Sequence, residues 1–260
     1  MTMPLLLFLA GLIIGALGTL IGAGGGWMIV PLLLLGLHFT PAQAVATSLA
    51  VVFLNALSGS IAYMAQRRVL YRMGTAFAVA TIPGTLLGVQ LVQRLGSDWF
   101  AVLFGVLLLG IAVFLYQGHV LLPARHRTNE DLESLQSFRS PQMRLGMLVS
   151  FLVGILSSLF GVGGGIIHVP FLIVVLSIPV HVATATSHFV LSITSLVGML
   201  AFLLRGEIQL SVAASMGSGV LIGAQAGAQL SRRMKSEPIR RILAAALAVF
   251  AIRLILHMVF

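Results

Sequence analysis

Two glycine runs mark where this chain can do chemistry. Gly22-Ala23-Gly24-Gly25-Gly26 leads through Trp27-Met28-Ile29 to Val30-Pro31, and Gly161-Val162-Gly163-Gly164-Gly165 leads through Ile166-Ile167-His168 to Val169-Pro170. Glycine permits positive φ and close approach of other backbone, so each run should break a helix and strand several N–H groups. A short helix beginning directly after the break would add its positive dipole end, and the combination suits a small anion. The expected substrate contacts at the breaks are Gly22, Gly24, Gly25 and Gly26, with Gly161, Gly163, Gly164 and Gly165 opposite them.

Polar side chains recur at matched positions near the runs. Thr47-Ser48 and Thr186-Ser187 open the following apolar segments, and Asn55 and Thr194 lie further along them. A lone hydroxyl in a membrane helix commonly bonds its own backbone. A matched pair expected beside the glycine tips is a better ligand candidate, so all six residues join the expected site. His168 and His188 join it for a different reason: their counterparts are Ile29 and Leu49, so imidazole there is not a requirement of the repeat. Either can hydrogen-bond a substrate or carry a coupled proton. The plain alternative is a histidine tied to a helix carbonyl.

All six acids (Asp98, Glu130, Asp131, Glu133, Glu207, Glu237) fall in or beside loops, so no span offers a carboxylate. That disfavours a cation substrate, a metal site and a carboxylate proton relay. An intramembrane hydrolase using Ser187 or Ser195 with a histidine is a weak rival, since no Gly-x-Ser-x-Gly motif is present; His188 and Ser192 have the best helical spacing for it. No glycine run continues into Lys-Ser or Lys-Thr, so nothing resembles a nucleotide-binding loop. No cofactor is expected.

The elements that position these groups follow from composition. Hydrophobic residues make up 59% of the 260-residue chain and charged residues 8%, with a mean hydropathy of +1.10. So few charges do not cover a soluble domain of this length, whereas about 20 apolar residues cross a bilayer. The apolar stretches predict segments at 4–20, 27–37, 42–66, 73–93, 99–117, 144–160, 166–176, 180–204, 209–231 and 238–259. The stretches 27–37 and 166–176 are too short to span alone, and both follow a glycine run. The net charge of +9 resides in short loops, where it meets lipid headgroups rather than nucleic acid.

The two glycine runs are 139 residues apart, and the same offset pairs Gly15 with Gly154, Gly59 with Gly198, Gly84 with Gly223, Gly88 with Gly227 and Gln90-Leu91 with Gln229-Leu230. Isolated glycines such as Gly11, Gly15, Gly88 and Gly227 read as close-packing positions, and Pro31 and Pro170 as structural bends. Repetition at half length in an apolar chain is the mark of a transporter built from two related bundles. Loop charge adds direction. Arg67, Arg68 and Arg72 follow the third segment of the first half, whereas Arg232, Arg233, Lys235, Arg240 and Arg241 follow the fourth segment of the second. Positive loops face the cytoplasm, so equivalent loops lie on opposite sides. The prediction is an all-α polytopic membrane protein with two inverted repeats of about five helical segments each, broken or re-entrant at the glycine runs. The first repeat is 1–117, a cytoplasmic linker is 118–143, the second repeat is 144–260, and both termini lie outside.

Gly22-Ala23-Gly24-Gly25-Gly26 to Val30-Pro31-Leu32, Ala46-Thr47-Ser48-Leu49 and the Gly84-to-Arg94 helix, each with its second-half echo, resemble the TauE/SafE sulfite-exporter family, also called the TSUP permeases. The resemblance covers nearly the whole chain outside 118–143. It implies a bacterial or archaeal inner-membrane permease moving sulfite, organosulfonates or related small sulfur anions by secondary transport, with proton coupling and homo-oligomerisation left open. An anion channel without alternating access is the alternative.

Overall fold

The computed structural model describes residues 2–121 and 140–232, with positions 245, 248 and 249. Ten apolar stretches predict ten segments. Nine of them lie within the described residues and are helical, whereas 238–259 falls outside apart from positions 245, 248 and 249, as do Glu130, Asp131, Glu133, Glu237 and most of the basic 232–241 loop. The first half comprises α1 (Thr2–Ile21), α2 (Gly26–Gly36), α3 (Pro41–Ala65), α4 (Tyr71–Val92) and α5 (Ser97–Leu121). The second comprises α6 (Pro141–Phe160), α7 (Gly165–Pro170) with a π-helical turn at Phe171–Val175, α8 (Val180–Leu203) and α9 (Leu210–Leu230). No strand occurs among the described residues. Helix α5 runs four residues past the expected end of the first repeat, and α6 starts at Pro141 within the expected linker. Among the described residues, six helices (α1, α3, α4, α6, α8, α9) are long and apolar enough to cross a membrane.

Local sequence explains the boundaries. Thr40 caps α3, accepting from Gln43 N while the Gln43 side chain returns to Thr40 N, and Pro41 takes the first helical position. Ser140 caps α6 through Met143 N in the same manner, again followed by proline. Pro31 sits inside α2, whereas Pro170 closes the six-residue α7, where the chain passes into the π-helical turn. Each proline removes one backbone donor from its helix.

Small residues set how the halves interlock. Gly219, Gly223 and Gly227 of α9 lie against the carbonyl oxygens of Phe8, Leu12 and Ala16 on α1, in that order, so the two helices run parallel. Gly84 and Gly88 of α4 lie against the carbonyls of Phe151 and Ile155 on α6, again parallel. The second set is the first displaced by 139 residues with the halves exchanged. Each half therefore packs its first helix on the fourth helix of the other, the reciprocal pattern of a two-fold interface.

The same reciprocity fixes the two ends of the bundle. Gln209 N, at the start of α9, donates to Thr47 Oγ1 near the start of α3, and Leu70 N, at the start of α4, donates to Thr186 Oγ1 near the start of α8. So α1, α3 and α9 begin at one end, and α4, α6 and α8 at the other. The α1–α2 excursion leaves one end and comes back to it before α3 begins; the α6–α7 excursion does so from the opposite end. At the end where α4 begins, Gln66 Nε2 donates to Ala228 O, bringing the finish of α3 beside that of α9.

Candidate functional site

Each excursion turns at its glycine run. Gly22, Gly24 and Gly25 have φ of 82°, 75° and 84°, and Gly161, Gly163 and Gly164 have φ of 66°, 80° and 69°. These are left-handed conformations open chiefly to glycine. The two turns touch. Gly26 lies against Gly161 O and Val162, and Gly165 lies against Gly22 O and Ala23, with no room for a Cβ at either position. Gly24 and Gly163 both pack on Val52 and Leu191, near the middle of α3 and α8. Gly22, Gly24, Gly26, Gly161, Gly163 and Gly165 thus meet where the two tips touch, whereas Gly25 and Gly164 face Ile14 and Val153 of their own halves.

Hydroxyls from the opposite half secure each tip. Ser48 Oγ donates to Gly161 O (2.8 Å) and Ser187 Oγ donates to Gly22 O (3.4 Å). Thr47 and Thr186, adjacent in sequence, instead accept the amides of Gln209 and Leu70, and so order the starts of α9 and α4 rather than the tips. Adjacent residues on a helix diverge by about 100°, which separates the two roles.

Beside the first tip lies a polar chain, in which only His188 Nδ1 is left without a partner. Asn55 Nδ2 donates to Gly24 O (3.0 Å), and Thr19 Oγ1 donates to Asn55 Oδ1 (3.1 Å). Thr19 also lies 3.3 Å from His188 Nε2. Its only proton is already committed to Asn55, so His188 Nε2 must carry a hydrogen and donate. Tyr63 completes the pocket, donating its hydroxyl to Thr19 O (2.7 Å) and meeting the His188 ring edge-on at 5.7 Å. All four side chains are fully buried.

His168 is elsewhere. Its Nε2 lies 2.9 Å from Ser150 Oγ, whose proton goes to Gly146 O, and Phe77 stacks on the ring at 6.2 Å. Thr194, the counterpart of Asn55, pairs with Thr81 (2.7 Å) and with its own helix at Val190 O. The structure thus gathers Asn55, Ser48, Ser187 and His188 at the tips, and turns Thr47, Thr186 and His168 to other contacts. The serines once open to a hydrolase reading are engaged with backbone: Ser187 with Gly22 O, Ser192 with Phe189 O and Ser195 with Leu191 O.

Thr19, Tyr63, Thr85, Ser157 and Ser158 line the same region and were absent from the expected site. A usable signal existed for two of them: Thr19 and Ser158 are counterparts under the 139-residue offset, each shortly before its glycine run. Among the described residues, no cluster of three His, Asp or Glu could hold a metal ion. Glu207 is at a bundle end, bonded by Gln93.

The family model for sulfite exporter TauE/SafE matches residues 7–254. The chain belongs to the TauE/SafE family. Within it, the chain is 31% identical to "Probable membrane transporter protein YunE" of Bacillus subtilis (strain 168), covering 98% of each chain. It is 25% identical to a probable membrane transporter protein of Methanocaldococcus jannaschii, covering 96% of this chain and 95% of that one. It is 24% identical to "Probable membrane transporter protein YfcA" of Escherichia coli (strain K12), over 98% and 91%. No solved structure matches. As a TauE/SafE member with six apolar helices of spanning length, the protein is an integral multi-pass membrane transporter and not an enzyme.

Proposed function

We propose that this transporter moves sulfite, an organosulfonate or a related small sulfur oxyanion across the bacterial or archaeal inner membrane, as a carrier that binds the anion where the two glycine tips meet. The observation that carries the reading is the reciprocal contact of the tips, Gly26 on Gly161 O and Gly165 on Gly22 O, at the middle of α3 and α8. Backbone that leaves the helix at membrane depth is tolerated where protein or a wet path surrounds it, and transporters of inverted halves bind at such breaks. Closed tips block a continuous path, which favours a carrier over a channel. The matched family model bears sulfite export in its name.

The halves 1–117 and 144–260 are read as inverted repeats, joined by a cytoplasmic linker at 118–143, with both termini outside. In support, Arg67 and Arg68 follow Gln66, whose side chain reaches Ala228 just ahead of Arg232. His188 is the imidazole at the tips and the group proposed to bear a coupled proton, with His168 in a structural role. Purified protein in liposomes, loaded with radiolabelled sulfite under an imposed pH gradient and voltage, tests the substrate. Saturable efflux above that of empty liposomes is the expected result. Efflux no faster than from empty liposomes would discard sulfite as the substrate.

A further inference from the structure

Among the described residues four buried hydroxyls lack a hydrogen-bond partner, Ser60, Thr85, Ser157 and Ser158, and the last three lie close together. Ser157, Ser158 and Thr85 have exposures of 1%, 0% and 0%. Hydroxyls in helices ordinarily bond back to a carbonyl three or four residues earlier. This chain does so at Thr75, Ser150, Thr194, Ser195, Ser215 and Ser218. A buried hydroxyl left unmade costs about 1–3 kcal/mol, so three of them around one feature call for an explanation.

Ser157 borders the second glycine tip, and Ser158 and Thr85 meet beside it at Gly198 of α8. Ser158 Oγ and Thr85 Cγ2 lie 3.5 and 3.6 Å from the point where a Cβ on Gly198 would sit, and Ser157 Oγ lies 3.5 Å from the corresponding point on Gly164. Gly88, one turn beyond Thr85, faces the Cβ of Ser158. The repeat supplies an internal control. The counterparts of Ser157, Ser158 and Thr85 are Gly18, Thr19 and Ala224, and the one hydroxyl among these, Thr19, is consumed by Asn55 and His188.

We propose that Thr85, Ser157 and Ser158 form a subsite for the oxyanion in the second half, donating three hydroxyl hydrogens to an acceptor-only ligand. The inference rests on the reading that the tips handle a small sulfur oxyanion, and adds which half holds it. Such an anion offers oxygens that only accept, and hydroxyls can turn their hydrogens toward it. Hydrogen bonds to a charged group are the stronger class, and the site lies in protein rather than water. Neither described acid, Asp98 or Glu207, is among the atoms around Gly164, Gly198 or Gly88 that define it.

The test is thermal stabilisation of the detergent-purified protein by sodium sulfite, with sodium sulfate and sodium chloride at matched ionic strength, in wild type, Ser157→Ala, Ser158→Ala, Thr85→Val and Thr85→Ser. Each Ala variant removes only an unbonded hydroxyl, so the fold should persist, as monodisperse elution would show. The expected result is a sulfite-dependent rise in Tm for wild type and Thr85→Ser. Apparent affinity should fall about tenfold or more with each hydroxyl removed, as expected for a hydrogen bond to a charged group. Equal affinities across the variants, no stabilisation by either oxyanion, or stabilisation that follows sodium alone would overturn the subsite. Flux in liposomes separates the two claims. Sulfite flux with hydroxyl-independent binding removes the subsite and keeps the transport reading; hydroxyl-dependent binding without flux does the reverse.

Discussion

The repeat builds two equivalent pockets, and they differ in how their polar groups are used. In the first, Thr19, Asn55, Tyr63 and His188 form a chain of hydrogen bonds that ends on Gly24 O, with Gly59 packed against Thr19 and the His188 ring. The same positions in the second are Ser158, Thr194, Phe202, Leu49 and Gly198. There the tyrosine hydroxyl and the imidazole are gone, Thr194 turns to Thr81, and Ser158 is left without a partner. Two copies of one backbone have thus separated rigidity from binding capacity. Apart from His188 Nδ1, which is buried without a partner, the side chains of the first pocket are matched to one another or to backbone and hold its tip in place, because breaking a link strands a buried group. A pocket with unmatched donors is set to accept something from outside.

The largest expected effects come from destroying what the pockets share. Gly26→Ala and Gly165→Ala each drive a Cβ into the backbone of the opposite tip, where neither side can yield as a flexible side chain would. Each should cost about 3 kcal/mol by overpacking and lower Tm in detergent to a similar degree. A wild-type Tm in either variant would mean that the tips do not touch as described.

Next in size is the contrast between Asn55→Leu and Thr194→Val. Asn55→Leu breaks two buried bonds and orphans Gly24 O and the Thr19 hydroxyl, for about 2–3 kcal/mol. Thr194→Val removes a hydroxyl whose partner Thr81 keeps its own bond to Ala78 O, for about 1 kcal/mol. Equal losses in chemical denaturation or thermal melts would erase the difference between the pockets.

The smallest effect belongs to Ser48→Ala and Ser187→Ala, which release Gly161 O and Gly22 O. Each should cost about 1 kcal/mol, with Ser48→Ala the greater because its bond is shorter. A much larger loss for Ser187→Ala would place the first tip, not the second, as the more dependent on its neighbour.

The sequence made the architecture legible because apolar length and glycine spacing act over whole segments. Nine expected segments are helices, and the isolated glycines Gly11, Gly15, Gly88 and Gly227 are helix-packing points. The site was legible only in part. Thr47 and Ser48 are adjacent and matched by Thr186 and Ser187, yet the helix points one of each pair at a tip and the other at a helix start. Side-chain direction on that scale depends on which helix packs where, which the pattern of apolar residues does not specify. His168 and His188 both break the repeat, but only the partners supplied by tertiary packing, Ser150 for one and Thr19 for the other, tell them apart. Thr85 was missed for the same reason: it lies on a helix of the first half, and its position becomes informative only once α4 is seen against α6.

The measurement that bears most directly on the account is counterflow in liposomes containing the purified protein. Touching tips must part and close again with each anion carried, so unlabelled sulfite inside should accelerate uptake of labelled sulfite and produce a transient overshoot. Sulfite flux that rises linearly with concentration, with no acceleration from the opposite side, would contradict a carrier and show a path that stays open.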